Sequence, residues 1–201
     1  MNAGQLASIL TRFVPAGAEQ YCADLLVKHG IQLHIKRPRS TKFGDYRLPA
    51  AGEPHRISIN KDLNPRAFLV TFLHEVAHLT AFERYGRRIS PHGAEWKSEF
   101  QRVAQPVFQE SWLPNDVQQA LHRYLRNPKA SSCSDPHLYK VLHAGAESGK
   151  TLLDDLQPGA EFAIKDGRRF QALEKNRTRW RCKELGSGKI FLVPGLMEVQ
   201  P

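Results

Sequence analysis

Two histidines and a glutamate in one short segment have the spacing of a metal site. His74, Glu75 and His78 form an HExxH pattern inside the mostly apolar stretch 68–79. Side chains at i and i+4 lie on one face of a helix, so both imidazoles can direct a nitrogen at one ion, with Glu75 beside them. Such ionisable groups are costly to bury in an apolar helix unless they have a partner. The pattern predicts a catalytic metal site in which Glu75 is the base that acts on a metal-activated water.

A third ligand is expected after this pattern, because catalytic zinc takes three protein ligands and leaves a fourth position for water or substrate. His92 is our prediction for it. Ser90 and Pro91 suit the start of a new helix, and that helix would present His92 to the metal. Glu95 and Glu99 lie on the same predicted helix and are the alternative ligands, since a carboxylate also binds zinc.

These segments resemble the SprT-like zinc metallopeptidases, the family of the Spartan-like proteins. The residues that carry the resemblance are 72–78, the segment 91–96 with its Pro-His-Gly-Ala-Glu-Trp sequence, and the upstream stretches 41–46 and 56–60. The resemblance implies a zincin-like domain with one zinc ion held by His74, His78 and His92, and with Glu75 as the general base of peptide hydrolysis. It also implies a role on proteins that are associated with DNA or crosslinked to it.

One feature of the family is missing from the sequence. Many members end in a zinc ribbon built from two cysteine pairs, whereas the cysteines of this chain are Cys22, Cys133 and Cys182. A mixed metal site of Cys133, Cys182, His137 and His143 is the alternative. The two cysteines lie far apart in sequence, however, where a zinc finger pairs them closely. We therefore expect surface histidines and a core cysteine.

The C-terminal region carries a row of cations at alternate positions: Lys175, Arg177, Arg179, Arg181 and Lys183. If 174–185 forms one strand, these five side chains share one face of it. Neighbouring strand-like stretches, separated by turns at 166–167 and 186–188, predict a small antiparallel β-domain. The row suggests a surface that binds DNA phosphates without sequence preference, and a merely solvated outer face is the equal alternative.

The remaining elements predict an α+β fold in which helices surround a small sheet of about three strands. Helices are expected over 5–14, 19–29, 65–85 and 116–125, and strands over 31–35, 43–48 and 56–59. In zincins an edge strand aligns the substrate as an extended chain, and 56–59 is our expectation for that strand. Candidates for the group that stabilises the oxyanion are Tyr46, Tyr85, His55 and the neighbouring arginines.

The domain organisation follows from composition. We expect a metallopeptidase domain over 1–126, a polar linker over 127–150 and a small basic β-domain over 151–201 in place of the ribbon. The net charge of +9 favours a polyanionic partner. A cytoplasmic protein without a membrane partner is expected, because no long apolar segment, signal-like N-terminus or disulfide framework is visible.

Two other functions compete with the peptidase. One is a non-catalytic nucleic-acid-binding protein that uses the basic β-domain. The other is a zinc hydrolase that acts on substrates other than peptide bonds. Zinc content distinguishes the first from the peptidase, and a peptide-cleavage assay distinguishes the second.

Overall fold

The computed structural model describes residues 1–39, 42–50, 52–129, 135–144 and 151–201. The chain forms two compact units, Met1–Ala144 and Gly145–Pro201. The described residues contain α-helices and β-strands in the first unit and mainly strands in the second. The mixed helix and sheet content agrees with the α+β expectation.

The first unit contains six α-helices and three strands within its described residues. In chain order they are α1 (Ala3–Leu10), α2 (Glu19–Lys28), β1 (Ile31–Lys36), β2 (Gly44–Arg47), β3 (His55–Asn60), α3 (Pro65–Tyr85), α4 (Ala94–Gln109), α5 (Asn115–Leu125) and α6 (Pro136–His143). Helix α3 packs against β2, β3, α4 and α6. It is therefore the central helix of this unit.

Helix α3 begins and ends where local signals predict. The Asn64 side chain accepts a hydrogen bond from the backbone N–H of Ala67, and Pro65 occupies the first turn. At the other end Gly86 has φ 76°, which a residue with a Cβ rarely adopts. Most of the helix between these signals is buried. It is thus a core helix that carries polar groups at 74, 75 and 78.

The three strands form one sheet with the order β1-β3-β2. Strand β1 runs parallel to β3, and β2 runs antiparallel to it. Ile57 and Ile59 of β3 are fully buried. The expectation that 56–59 is a substrate-aligning edge strand is wrong, because both edges of β3 are already paired. The free edge close to α3 belongs to β2.

The predicted linker 127–150 is partly helical. Residues Pro136–His143 form α6, and Leu138 and Leu142 are buried in the core of the first unit. The Asn64 side chain donates to the carbonyl of Leu142 over 3.1 Å. These apolar contacts explain why the segment folds on the first unit, and they correct the linker prediction for 136–143. Residues 130–134 and 145–150 lie outside the described residues.

The second unit is built from short strands. These are β4 (Thr151–Leu152), β5 (Glu161–Ala163), β6 (Arg169–Asn176), β7 (Arg179–Glu184), β8 (Ile190–Pro194) and β9 (Glu198–Val199). Strands β5-β6-β7-β8 form an antiparallel sheet in that order, and β4 pairs with β9. The core contains Phe162, Phe170, Trp180 and Cys182. The expectation of an antiparallel sheet here is confirmed.

The five alternating cations do not lie on one strand. A two-residue turn at Arg177–Thr178 separates β6 from β7, and Arg177 has φ 56°. The register also shifts between Ala172 and Glu174, so that Lys175 lies opposite Trp180. The prediction of a single strand over 174–185 is wrong. The alternation of cations continues through a hairpin whose turn contains neither glycine nor proline, so the turn was not predicted.

The hairpin places the cations in different surroundings. Lys175 forms an ion pair of 2.8 Å with Asp154, which also accepts the indole N–H of Trp180 over 2.7 Å. Arg179, Arg181 and Lys183 alternate along β7 on its exposed face. Arg181 is paired with Glu174 on the neighbouring strand.

No described helix combines the length and the apolar character that a membrane crossing requires.

Candidate metal centre

Two helical turns and one loop bring three histidines together. His74 and His78 lie one turn apart on α3, and His92 comes from the loop between α3 and α4. One ring nitrogen from each of the three lies within 4.8 Å of the other two. Within the described part of the chain this is the one group of histidine, cysteine or carboxylate side chains with the proximity that a metal ion needs.

His92 lies before the second helix and not on it. Helix α4 begins at Ala94 with Gly93 as its N-cap, and the N–H of Gly93 donates to the carbonyl of Ser90 over 2.9 Å. His92 has φ 59° in this turn, a backbone conformation that is uncommon for a residue with a side chain. The helix start predicted at 90–91 is therefore wrong by about one turn. The strained turn directs His92 at α3, whereas the prediction had the new helix present this side chain.

Gly93 is required by the same turn. A Cβ at this position would lie 2.9 Å from the Ser90 carbonyl oxygen and 3.2 Å from a carboxylate oxygen of Glu95. Such distances leave no room for a methyl group without movement of the backbone. Glycine at 93 thus allows the turn that delivers His92.

Burial keeps the imidazoles neutral. Desolvation lowers the pKa of His74 well below its ordinary value, and the neighbouring His78 and His92 lower it further. For the same reasons the pKa of His78 falls to about 4. Burial also lowers the pKa of His92. A histidine binds a metal through a neutral ring nitrogen, so this environment favours the form that a ligand needs.

The donor set fits a metal ion. Nδ1 of His74 and Nε2 of His92 are buried, and neither has a hydrogen-bond partner among the residues that the structure describes. Trp96 packs against all three imidazoles, with ring centroids at 4.8, 5.2 and 4.6 Å from those of His74, His78 and His92. Buried polar atoms are normally satisfied. A metal ion that one of these nitrogens ligated would supply its missing partner.

The buried side chain of Glu75 lies against strand β2. Its carboxylate accepts a hydrogen bond from the backbone N–H of Tyr46. Desolvation raises its pKa to about 8, the Tyr46 N–H opposes this rise, and Asp45 adds to it. A carboxyl group whose pKa lies near neutral pH and which stands beside three imidazoles suits proton transfer.

Gly44 allows this contact between strand and helix. A Cβ at position 44 would lie 2.6 Å from Oε1 of Glu75 and 2.7 Å from the methyl carbon of Thr71. Sequence reasoning included this glycine in a strand without assigning it a role. A glycine inside a strand does signal close approach of another group, so a signal was present.

The histidines and Glu75 open into a cleft of about 410 Å³. Strand β2, helix α3 and the loop before α4 form its walls. Its lining includes Tyr46 and Arg87, whereas Tyr85 and His55 do not line it. The Tyr46 hydroxyl bonds to Nδ1 of His55 over 2.9 Å. Of the sequence candidates for an oxyanion partner, the fold thus brings Tyr46 and Arg87 to the cleft.

The alternative ligands lie elsewhere. Glu99 is 1% exposed and forms ion pairs with Arg84 at 3.1 Å and Arg102 at 2.6 Å. The pKa of Glu99 is lowered although desolvation acts in the opposite direction, since Arg102, Thr80 and Arg84 contact its carboxylate. Glu99 therefore ties α4 to α3. Neither it nor Glu95 joins the histidine cluster.

The mixed cysteine and histidine site has no support in the described residues. Cys133 lies outside them. Nδ1 of His143 donates to the carbonyl of Tyr139 over 2.8 Å, and His137 contacts Arg123. Cys182 is a buried free thiol in the second unit, where burial raises its pKa to about 11.

Comparison with known proteins places the chain in a family. The SprT-like family model matches residues 17–119, just over half of the 201 residues, and the match contains the whole histidine cluster. The chain belongs to the SprT-like family. The resemblance inferred from the sequence is therefore confirmed.

One relative of this SprT-like chain is Protein SprT of Vibrio parahaemolyticus serotype O3:K6 (strain RIMD 2210633). The two are 49% identical over 41 residues, which make up 20% of this chain and 24% of that protein. The match thus spans about a quarter of the relative's length. No solved structure matches the chain.

Proposed function

We propose that this SprT-like chain is a zinc-dependent metallopeptidase with a zincin-like catalytic unit. The observation that carries the proposal is the cluster of three neutral imidazoles, with ring nitrogens within 4.8 Å of one another, next to a carboxyl group that lies on an open cleft. Three histidines suit zinc, and three protein ligands are typical of catalytic zinc. Membership of the family supports a metallopeptidase type of function.

His74, His78 and His92 would hold the ion. When bound, zinc would activate a water, polarise the scissile carbonyl and favour the ionised form of Glu75. Glu75 would take a proton from the water and later pass it to the leaving amine. The backbone N–H of Tyr46 favours the ionised form of this carboxylate.

An extended protein segment is the proposed substrate, and β2 is the strand that would align it. In the β2–β3 ladder, Phe43 accepts the backbone N–H of Asn60, and antiparallel pairs alternate between bonded and non-bonded residues. Gly44 and Tyr46 therefore direct their backbone polar groups to the free edge. The Tyr46 N–H interacts with Glu75, so a substrate strand would pair by β-addition with the backbone of Gly44 and the carbonyl of Tyr46.

Metal analysis combined with a cleavage assay tests the proposal. Purified protein should contain about one zinc per chain and should cleave an unfolded protein. Glu75→Gln should retain the zinc but lower turnover by about 10²-fold or more, because the base is lost while the ligands remain.

Each competing function predicts a different result in this assay. A non-catalytic binding protein would show no cleavage that depends on Glu75. A hydrolase of other substrates would hold zinc without cleaving peptide bonds. Equal turnover of the wild type and Glu75→Gln would remove Glu75 from the mechanism.

We also propose that the second unit binds the DNA backbone through β7, which would bring the peptidase to DNA-associated or DNA-crosslinked proteins. Arg179 and Lys183 support this, because they are exposed and form no ion pair with a described residue. Their neighbours across the sheet on β8 include Ile190, which is 47% exposed. Contacts of this kind are to phosphates and carry no sequence preference.

A cytoplasmic setting is part of the proposal. Cys22 and Cys182 are buried free thiols, and reduced cysteines are typical of that compartment.

A further inference from the structure

Tyr46 and Arg87 both line the histidine cleft, and they are the two candidates for the group that stabilises the oxyanion of peptide hydrolysis. When water adds to the scissile carbonyl carbon, the electron pair of the C=O bond moves to the carbonyl oxygen. A hydrogen-bond donor at that oxygen stabilises the transition state, and its removal typically costs about 10² to 10³ in turnover. The surroundings of the two side chains decide between them.

The hydroxyl proton of Tyr46 is already engaged outside the cleft. Its oxygen lies 2.9 Å from Nδ1 of His55, and His55 does not line the cleft. The other ring nitrogen of His55, Nε2, faces a carboxylate oxygen of Glu83 at 3.9 Å. We assign the proton of the neutral ring to Nε2, because a carboxylate favours a donor on its own side. Nδ1 is then an acceptor, and Tyr46 donates its proton to it.

Further contacts hold this arrangement in place. The second carboxylate oxygen of Glu83 lies 2.8 Å from Nδ1 of His29, so Glu83 is fixed between two imidazoles. The rings of Tyr46 and His55 are stacked, with their centroids 5.8 Å apart. Burial raises the pKa of Tyr46, Glu83 raises it further, and Arg87 opposes the rise. The phenol therefore keeps its proton, and that proton is directed at His55.

The guanidinium of Arg87 has no such partner. It is exposed, and it forms no hydrogen bond or ion pair with another described residue. Within the described lining of the cleft it is the one arginine or lysine head group. Asp45, which also lines the cleft, is paired with Lys42 and Arg47 instead. The donors and the charge of Arg87 are thus available to a substrate.

Phe82 holds this charge at the cleft. Cζ of Arg87 lies 5.8 Å from the centroid of the Phe82 ring, and the face of an aromatic ring attracts a cation at such a distance. His74, His78 and Phe82 follow at intervals of four residues along α3, so their side chains lie on one face of the helix. Phe82 is one step beyond His78, about 6 Å along the helix axis. The guanidinium is therefore held next to the histidine pair along the same wall of the cleft.

The other side-chain donors of the lining are less suitable. The indole nitrogen of Trp96 is buried and has no partner among the described residues, so a substrate oxygen in the cleft cannot reach it. Ser90 offers a neutral hydroxyl, and hydrogen bonds from charged donors are about twice as strong as neutral ones. Arg87 is the strongest donor that the cleft presents.

We propose that Arg87 is the catalytic residue that donates a hydrogen bond to the oxyanion. The inference rests on the proposed peptidase function and adds to it the group that receives the developing charge. As the C–O bond to water forms, the carbonyl oxygen takes up the electron pair and accepts a charge-assisted hydrogen bond from the guanidinium. When the C–N bond breaks, that pair re-forms the carbonyl and the amine leaves with the proton from Glu75. Arg87 stays protonated throughout, because a guanidinium does not lose its proton in a protein.

The test compares Arg87→Gln with Arg88→Gln in the full zinc-loaded chain, with an unfolded protein as the substrate. The two arginines are adjacent and exposed, but Arg88 does not line the cleft. Arg87→Gln should lower kcat by about 10²-fold with a smaller change in KM, because the oxyanion exists in the transition state and not in the bound substrate. Arg88→Gln should leave both constants unchanged. Arg87→Lys should recover part of the loss, since it restores the charge without the planar fork of donors.

A tetrahedral inhibitor provides a measurement that does not depend on turnover. A fluorescently labelled phosphinic peptide carries charged oxygens at the position of the oxyanion, and its binding is followed by anisotropy. Arg87→Gln should weaken this binding by about 10-fold or more compared with Arg88→Gln. A labelled substrate peptide should bind the Glu75→Gln chain with similar affinity whether or not Arg87→Gln is added.

Each failure has a different signature. Equal kcat values for Arg87→Gln and Arg88→Gln, when the wild type cleaves, would overturn the inference and leave the peptidase proposal standing. A raised KM at constant kcat would make Arg87 a substrate-binding side chain and remove its catalytic role. A greater loss of kcat in Tyr46→Phe than in Arg87→Gln would assign the oxyanion to the phenol. Absence of cleavage by the wild type would overturn the peptidase proposal and this inference with it.

Discussion

The two units hold their candidate functional side chains in opposite surroundings. In the first unit His74 is 5% exposed and Glu75 is 7% exposed. Burial lowers the pKa of His74 and raises that of Glu75, so that it favours the neutral form of each. In the second unit Arg179 and Lys183 extend into solvent from an outer sheet face. Buried groups depend on the position of every neighbour, whereas exposed charges act mainly through their sum and are screened by salt.

This difference predicts how the two regions respond to substitution. A substitution in the metal site of the first unit should abolish metal binding or catalysis almost completely, because the site depends on the positions of only a few atoms. A change in the second should have graded effects that add from residue to residue. Either pattern appearing in the other unit would break the comparison.

The largest effect is expected for His92→Ala. It removes one of three ligands from a preformed cluster, so zinc should fall from about one per chain to near zero, as measured by metal analysis of the purified protein. Circular dichroism should show the helices intact, because His92 lies in a turn outside them. Glu95→Ala is the matched control and should keep its zinc. Retention of zinc by His92→Ala would overturn the three-histidine assignment.

A smaller but still large effect is expected for Gly44→Ala. The new methyl group would lie 2.6 Å from a Glu75 oxygen, so either the base or β2 must move. We expect a fall of about 1–3 kcal/mol in the free energy of unfolding and slower cleavage with zinc retained.

Gly4→Ala is the control for that variant. Its Cβ would meet its nearest neighbour at 3.6 Å, an ordinary contact, and it lies in α1. It should leave cleavage unchanged and should not lower stability, because alanine is favoured over glycine in helices. Equal cleavage rates for the two alanine variants would show that the contact between Gly44 and Glu75 has no role in catalysis.

A graded effect is expected for Arg179→Gln with Lys183→Gln. The salt slope for DNA binding should fall by about 0.7–0.9 for each contact, while zinc content and cleavage of a DNA-free protein stay constant. Lys165→Gln with Lys189→Gln removes two exposed cations from turns of the same unit and is the control. Identical slopes for the two variants would show that Arg179 and Lys183 belong to a solvated outer face that does not bind DNA.

The smallest effect is expected for Arg177→Gly. Arg177 has φ 56° in the β6–β7 turn, where glycine avoids the cost of a left-handed backbone but loses more entropy on folding. The balance should raise the free energy of unfolding by about 0.5–1 kcal/mol, measured by urea denaturation. Thr178→Gly, at the neighbouring position without positive φ, should instead lower it. A loss of stability in Arg177→Gly would contradict the turn geometry.

Local sequence determined the parts of the site that one element carries. The i, i+4 spacing of His74 and His78 and the end signals at Asn64 and Gly86 act within one helix, so periodicity and capping were sufficient to predict it. The family followed from the same segment together with His92 and Trp96. Strand positions in the first unit were likewise predicted within a few residues, because alternation is a local property.

Tertiary structure alone decided which elements meet. Whether 56–59 is an edge strand or a central strand depends on its pairing with β1, a parallel strand that comes earlier in the chain. No pattern within 56–59 itself indicates that pairing. His92 reaches the cluster through a strained turn that only packing of α4 against α3 can hold. The β6–β7 hairpin turns at an arginine, so the usual glycine signal was absent.

The same reason applies to the outward face of the first sheet. Its cations, Lys36, Arg39, Arg47 and Arg56, come from β1, β2, β3 and the segment that follows β1, and they are separated by up to 20 positions in the chain. Sequence determined that each strand has an outward polar face. The register of three strands then placed those faces side by side, and a buried asparagine fixed Arg39 among them. Spacing along a chain encodes neighbours within one helix or strand, whereas a site that several strands share exists only once they pair.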